Sequence, residues 1–455
     1  MTLRFPDSLS ARALRRPPAP RLLAVCCAVA TVAAVAPAFA DAARAKSAAA
    51  GAAAARRSAS ATGSRKGSAY PAGATRPSKI ARASEYARVA KRAPARKKPR
   101  KPVLRGNPAR ALLAFQAMQK YYYIQGSGLY DGEPFSYRWP FSQALTATIT
   151  MANVPHMPVS FAHELHARLV GLKSYLDTNN SGAPEGTFTS TLAAFDGTVA
   201  PPAGPGGTKY YDDNDWIGIE MMRVYKLTHD PATLGSAQAI MAFEMAGWET
   251  NPELVCPGGI PFSNNAENTD RNTITTAPAA QLAVQLYKAT GNVQYLRFAE
   301  MAYQWVRSCL LQPGGLYSDH INSRGVVEPM LWSYGQGTMI GAGTLLYQAT
   351  HNSAYLYQAR QTAQAALAYF TPERLGSENP FFPSVYFRNI LYLDSVTRDP
   401  PGAKLAQAYV DYAWGHLRLS NNLFVAGSPA GAQLLVQAAI TQIYGLLSSP
   451  ASTYF

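Results

Sequence analysis

The heptapeptide Val224-Tyr225-Lys226-Leu227-Thr228-His229-Asp230 returns as Leu286-Tyr287-Lys288-Ala289-Thr290-Gly291-Asn292 and again as Leu346-Tyr347-Gln348-Ala349-Thr350-His351-Asn352. Each copy leads to a leucine, at Leu234, Leu296 and Leu356, and the threonines lie 62 and then 60 residues apart. Apolar residues at helical spacing run into and out of each copy. Each therefore reads as one helix ending, a tight polar turn, and a second helix starting at Asp or Asn. Val396-Thr397-Arg398-Asp399 is a fainter fourth copy. A repeat of this length built from helix pairs predicts stacked or ring-closed αα-hairpins.

Outward from these turns, helical patterns fall near 107–122, 140–153, 159–178, 211–228, 232–248, 274–290, 293–311, 333–349, 353–370, 383–396, 402–418 and 430–447. Strand-like alternation is sparse, so the chain is read as all-α. The segments starting at 140, 211, 274, 333, 383 and 430 are small or apolar on more than one face, as an inner layer is. The intervening ones carry Lys, Arg, Glu and Gln on one side. With 107–122 closing the ring beside the last inner helix, the expected fold is an (α/α)6 barrel of six helical hairpins. An open solenoid is the alternative, and it would need capping repeats that the sequence does not display.

Ahead of the helical part, residues 1–40 have the form of an export signal. Arg4, Arg12, Arg15, Arg16 and Arg21 precede an apolar run from Leu22 to Val35, and Ala38-Phe39-Ala40 supplies a small-residue cleavage site. That run is too short for a membrane span. Residues 41–106 are rich in Ala, Arg, Lys, Ser and Pro with few large apolar residues, which predicts a disordered arm. Through residue 106 the chain holds 23 Lys and Arg against three acids; beyond it, 19 against 24. The net +15 thus belongs to the leader and arm, not to the helical domain at 107–455. This argues against a specific nucleic-acid enzyme. The arm is a solvated spacer or a holder of anionic envelope polymers, and the protein is expected to be secreted, periplasmic or extracellular. After leader removal only Cys256 and Cys309 remain; a bridge between them is permitted, but two cysteines make no metal site.

Chemistry concentrates at Tyr210-Tyr211-Asp212-Asp213-Asn214-Asp215-Trp216, at the start of the 211–228 helix. Two crowded carboxyls separate in pKa, so one can hold a proton while the other stays ionised. Neighbouring side chains can reach the separation of about 5–5.5 Å used in retaining glycoside hydrolysis. The plain alternative is that Asp212 caps the helix and its neighbours are acids favoured by the helix dipole. Other inner helices also begin among sugar-binding residue types: Tyr137 and Trp139, Arg271 and Asn272, and Trp332, Tyr334 and Gln336. The loop Cys256-Pro257-Gly258-Gly259-Ile260-Pro261-Phe262 belongs to the same end. Such convergence from separate repeats points to a site that stacks sugar faces on aromatic rings and bonds hydroxyls with amides.

These segments resemble glycoside hydrolase family 76, the α-1,6-mannanases, over about residues 110–420. The marks are Tyr-Asp-Asp-x-x-Trp at Tyr211 to Trp216, Cys-x-Gly-Gly-Ile at Cys256 to Ile260, and Trp-x-Tyr-x-Gln-Gly at Trp332 to Gly337, with hairpin turns like the family's. The resemblance implies an (α/α)6 barrel and retaining hydrolysis of α-1,6-mannosidic bonds without metal or cofactor. Asp212 would be the nucleophile and Asp213 the general acid/base. Trp139, Tyr211, Trp216, Phe262, Asn272, Trp332, Tyr334 and Gln336 would bind α-mannan or a related oligosaccharide. Pro261-Phe262, Gly335 and Thr276 depart from the family pattern, so the lining is expected to differ. An envelope transglycosylase on α-mannosides and a non-catalytic glycan-binding envelope protein are the alternatives.

Other motifs fail on spacing. His163-Glu164-Leu165-His166 places its second His short of the i+4 position a zinc site needs. Gly335, Gly337, Gly341 and Gly343 follow no strand and read as close helix packing.

Overall fold

The computed structural model describes residues 104–178, 192–426 and 433–455. The export signal and nearly all of the basic arm, as read from sequence, lie outside these residues. The described helices are α1 (Gly106–Tyr122), α2 (Arg138–Ala152), α3 (Ala162–Leu172), α4 (Tyr211–Thr228), α5 (Pro231–Ala246), α6 (Thr273–Thr290) and α7 (Val293–Leu310). They continue with α8 (Ser333–Thr350), α9 (Ser353–Tyr369), α10 (Pro372–Ser377), α11 (Phe381–Thr397), α12 (Pro401–Tyr412) and α13 (Leu434–Leu446). Among the described residues none is long and apolar enough to cross a membrane.

Helices α2, α4, α6, α8, α11 and α13 each pack on the next, and α13 returns to α2. The ring is closed, so the open solenoid is excluded. On the outside α3, α5, α7, α9 and α12 pair with the inner helix before them, and α1 packs on α13. The inner helices are buried on nearly all faces; in α6 every residue from Thr273 to Leu286 is buried. Small residues permit that closeness: a Cβ on Gly341 would fall 1.8 Å from Asn389 Oδ1 across the α8–α11 contact.

The repeated heptapeptide has a local explanation. His229, Gly291 and His351 end α4, α6 and α8 in the left-handed conformation, at φ 56°, 72° and 58°. Their amides return to the carbonyls of Tyr225, Tyr287 and Tyr347. The next residue caps the following helix: Asp230, Asn292 and Asn352 accept from the amides of Ala232, Gln294 and Ala354 at 2.9–3.1 Å. The preceding threonine hydroxyl accepts the amide of that capping residue at 3.2 Å in all three copies. In the fourth copy Arg398 is left-handed too, but α12 starts at Pro401 without a side-chain cap, which is why the echo is faint.

Three helix boundaries differ from the sequence patterns. The 159–178 segment is helical only over α3, because Lys173–Tyr175 tightens into a 3₁₀ turn and β1 (Leu176–Asp177) pairs antiparallel with β2 (Ala194–Phe195). The 402–418 segment stops at Tyr412 in a π turn over Ala413–Leu417. The short α10 has no apolar period, and starts from a Thr371 cap and a proline. A second small sheet orders β3 (Arg271–Asn272), β4 (His320–Ile321) and β5 (Val327–Glu328) antiparallel.

Cys256 and Cys309 form a disulfide that ties the loop after α5 to the end of α7. Gly258 and Gly259, at φ 103° and 84°, lie against the Trp305 ring, where no side chain would fit. Cys309→Ser is expected to lower the unfolding free energy by about 2–4 kcal/mol. Urea midpoints of the variant and the oxidised parent decide it; coincident midpoints would show that the bridge adds nothing.

Candidate active site

The amino ends of the inner helices gather at one end of the barrel. Tyr210 precedes α4 in extended conformation and no side chain caps that helix. Asp212 and Asp213 occupy its first turn, where Asp212 Oδ1 accepts the Asp213 amide at 2.8 Å. Asp212 is therefore not the helix cap: Tyr210 holds that position, and the Asp212 bond is made within the first turn, with its other carboxylate oxygen outside it.

Arg138, the first residue of α2, is fully buried and its Nη2 donates to Asp213 Oδ2 at 2.9 Å. Lys209 is buried in ion pairs with Asp177 and Asp196 at 3.1 and 2.9 Å, fixing the strand that leads into the pair. Asn214 anchors the same turn: its Nδ2 donates to the carbonyls of Tyr210 and Phe195, and its Oδ1 accepts the Phe195 amide. The catalytic candidates thus stand on a turn held from both sides.

Burial raises the pKa of Asp212, Asp213, Asp215 and Glu244. Asp213 is pushed up by desolvation and held back by the Arg138 charge and hydrogen bond. Asp212 is pushed well above the ordinary range by desolvation and then by the charge of Asp213. Behind them, Asp215 is pushed well up by burial and by Asp212, with the Ala279 amide opposing. Glu244, wholly buried on α5, is pushed well up by burial and by Asp215 and Asp212. Of the four, only Asp213 touches a guanidinium, and its pKa is raised less than that of Asp212. The contact favours the charged form of Asp213 over that of Asp212, although Asp212 lies nearer the helix start. A guanidinium in direct contact outweighs a place one residue nearer the helix start.

Aromatic rings build the surround. Trp139 lies 4.9 Å from Phe381 and Trp332 lies 5.1 Å from Phe382, ring centre to ring centre. Tyr334 packs on Phe382 at 4.5 Å, and burial, followed by the charge of Asp212, raises its pKa. Trp216 is buried below, against Phe381. Phe262 packs on Tyr210. Trp139, Trp216, Trp332, Tyr334 and Phe262 are thus at the pair's end of the barrel, as is Asn272, whose buried Oδ1 has no hydrogen-bond donor. Two expected ligands face elsewhere. Tyr211 stacks on Phe243 of α5, and Gln336 is spent on Tyr317 and the Trp332 carbonyl. Arg271 is buried and donates to the carbonyls of Val255, Cys256 and Gly258, so it staples the disulfide loop instead of binding sugar.

The residues missed from sequence are Arg138, Glu244, Phe381 and Phe382. Arg138 lies between Tyr137 and Trp139, and the two phenylalanines open the fifth inner helix, so the repeat phase could have found them. Glu244 carries no such signal. Glu378 was also missed: it accepts from the Ser333 amide and hydroxyl and so caps α8. Burial pushes its pKa from 4.5 up to about 7. A carboxyl whose folded pKa is raised contributes stability below its unfolded pKa and loses it as pH rises through the folded value. The gap between 4.5 and about 7 is worth roughly 3 kcal/mol. Glu378→Gln should match the parent near pH 4 and exceed it by up to that amount near pH 8. Unfolding free energies at the two pH values check this; an equal difference at both would show that Glu378 does not titrate in that window.

A cavity of about 620 Å³ lies at the opposite end of α4 between Met151, Met157, Phe161 and Leu227, far along the helix from the acids.

Comparison with known proteins agrees with this architecture. The mannan endo-1,6-alpha-mannosidase DCW1 of Saccharomyces cerevisiae is 23% identical over 184 residues, 37% of this chain and 40% of that protein. The DFG5 enzyme of the same name class from Candida albicans is 23% identical over 242 residues, 49% of this chain and 52% of that protein. The matches thus span about half or less of these relatives. Among solved structures, a glycoside hydrolase family 76 mannosidase from Bacteroides thetaiotaomicron VPI-5482 superposes with a TM-score of 0.65 at 21% identity, covering 75% of this chain and 98% of its own. An α-1,6-mannanase of Salegentibacter sp. HEL1_6, inactivated by two neighbouring Asp-to-Asn changes and bound to α-1,6-mannotriose, superposes at 0.61 with 20% identity, covering 75% and 100%. The family model for glycosyl hydrolase family 76 matches residues 108–389. The chain belongs to glycosyl hydrolase family 76.

Proposed function

We propose that the protein is a secreted retaining glycoside hydrolase that cleaves α-1,6-mannosidic bonds, with a leader at 1–40, a basic arm at 41–106 and the catalytic barrel from 107. The observation that carries this is the Asp212–Asp213 pair, with Asp213 buried against Arg138 and Asp212 half-buried, at the aromatic end of the barrel. The mannan-degrading relatives and the mannotriose-bound neighbour support the substrate class.

In the first reading Asp213 protonates the glycosidic oxygen while Asp212 attacks the anomeric carbon, forming a mannosyl ester and releasing the leaving sugar. Asp213, now a carboxylate, takes a proton from water, and the resulting attack on the anomeric carbon frees Asp212 with net retention. A second reading exchanges the roles; the Arg138–Asp213 ion pair, which favours a charged Asp213, supports it.

Azide separates them. With an activated aryl α-mannoside, an alanine variant at the nucleophile yields the β-mannosyl azide, whereas one at the acid/base yields the α-azide. Asp212→Ala giving β and Asp213→Ala giving α establishes the first reading, and the reverse pattern the second. Unimpaired hydrolysis in both variants would remove the pair from the mechanism.

A further inference from the structure

A second cavity, of about 280 Å³, lies on the outer flank of the segment that carries the acid pair, between the end of α5 and residues 261–268. Tyr211, Trp248, Glu249, Asn264, Asn265 and Asn268 line it. Because Tyr211 stacks outward on Phe243, consecutive residues of one helical turn serve this cavity and the catalytic cleft. Asn264 is only 3% exposed. Its Oδ1 accepts the Lys209 amide at 3.0 Å, yet its buried Nδ2 has no acceptor. A buried amide donor without a partner in a polar cavity calls for a ligand oxygen.

The lining narrows the ligand. Among the described lining residues there is no Lys or Arg, and Glu249 adds a carboxylate, so an anion is disfavoured. No group of three metal-ligating side chains occurs among the described residues. A purely apolar guest would leave the buried Asn264 Nδ2 without an acceptor. Two aromatic rings beside several amide donors and acceptors suit a neutral ring with one apolar face and many hydroxyls.

We propose that this cavity is an accessory subsite for one neutral pyranose residue, reached by a branch of the same glycan whose backbone enters the catalytic cleft. The proposal rests on the α-mannan reading for the identity of that glycan. It also explains why the wall between the two sites is built from the departing Pro261-Phe262 segment, which the sequence sets apart from the family pattern.

The test uses the full chain inactivated by Asp212→Asn and Asp213→Asn, titrated with an α-1,6-mannan oligosaccharide bearing single-mannose branches and followed by calorimetry and ligand-observed NMR. The branched oligosaccharide is expected to bind one-to-one, about tenfold or more tighter than an unbranched one of equal backbone length. Trp248→Ala should abolish that advantage and leave the affinity for the unbranched oligosaccharide unchanged. Asn268→Asp, which keeps the oxygen that accepts the Phe262 amide at 3.2 Å but removes the donor, should do the same. Equal affinities for the branched and unbranched oligosaccharides in the parent, or an advantage that both variants keep, overturns the accessory subsite and leaves the Asp-pair reading standing. Absence of any binding overturns both.

Discussion

Asp213→Asn, introduced into the full chain, is expected to lower kcat on α-1,6-mannan by about 10²–10⁴-fold, the usual worth of a positioned general acid or base. The same change costs stability, because Arg138 is buried and Asp213 is the carboxylate its Nη2 reaches. An amide oxygen can still accept that bond but brings no charge, so the loss is about 1–3 kcal/mol. Asp212→Asn should be at least as damaging to turnover and kinder to the fold, since it removes one of the crowded acids whose charge raises Asp215 and Glu244. Initial rates well below the melting range, with unfolding free energies of the same preparations, separate the two effects. A variant at either position that keeps more than about a tenth of parental kcat would be incompatible with a catalytic pair. Opposed effects on activity and stability at Asp212 would be the signature of a group placed for chemistry at the expense of the fold.

The barrel was legible in sequence because its junctions are local. One tripeptide, Thr-(His/Gly)-(Asp/Asn) after a tyrosine-bearing helix end, specifies a left-handed stop, a hydroxyl that takes the amide two residues on and a cap for the following helix. Those bonds span no more than a few residues, and three copies set the period. The acid pair was legible for the same reason, being contiguous. What decides its protonation was not: Arg138 meets Asp213 across 75 residues, and Glu244 comes from an outer helix. Such contacts exist only after the ring closes; Arg138 at least stands between Tyr137 and Trp139 at an inner-helix start, whereas Glu244 has no distinctive neighbourhood in the chain. Residue type alone also misplaced Tyr211, Arg271 and Gln336. Each has the side chain of a sugar ligand, but a backbone carbonyl, amide or ring within the fold claims it first.

Glu220→Ala should be the most destabilising single change in the barrel. Glu220 projects from α4 into the closed interior, one face below Trp216, and is 1% exposed. Its two oxygens accept from Arg223 and Arg388, each at 2.7 Å, so a single carboxylate neutralises part of two buried guanidinium groups. Burial already lowers the Arg388 pKa to about 10 against the pull of Glu220. Both arginines also donate to the backbone, Arg223 to Thr453 and Arg388 to Tyr454, tying residues 453–454 to α4 and α11. Removing the carboxylate leaves two charges without their counter-ion in a space of low polarisability, at a cost of about 3–5 kcal/mol. Replacing all three residues by apolar ones of similar volume should recover much of that loss, because the desolvation of the charges disappears with them. Denaturant unfolding of Glu220→Ala, of the triple replacement and of the parent tests both statements. A loss below about 1 kcal/mol in Glu220→Ala would mean that water reaches the arginines and the interior is not dry. If the triple replacement were as unstable as Glu220→Ala, the arginine bonds to residues 453 and 454, more than the ion pairs, would be what holds the floor of the barrel beneath the acids.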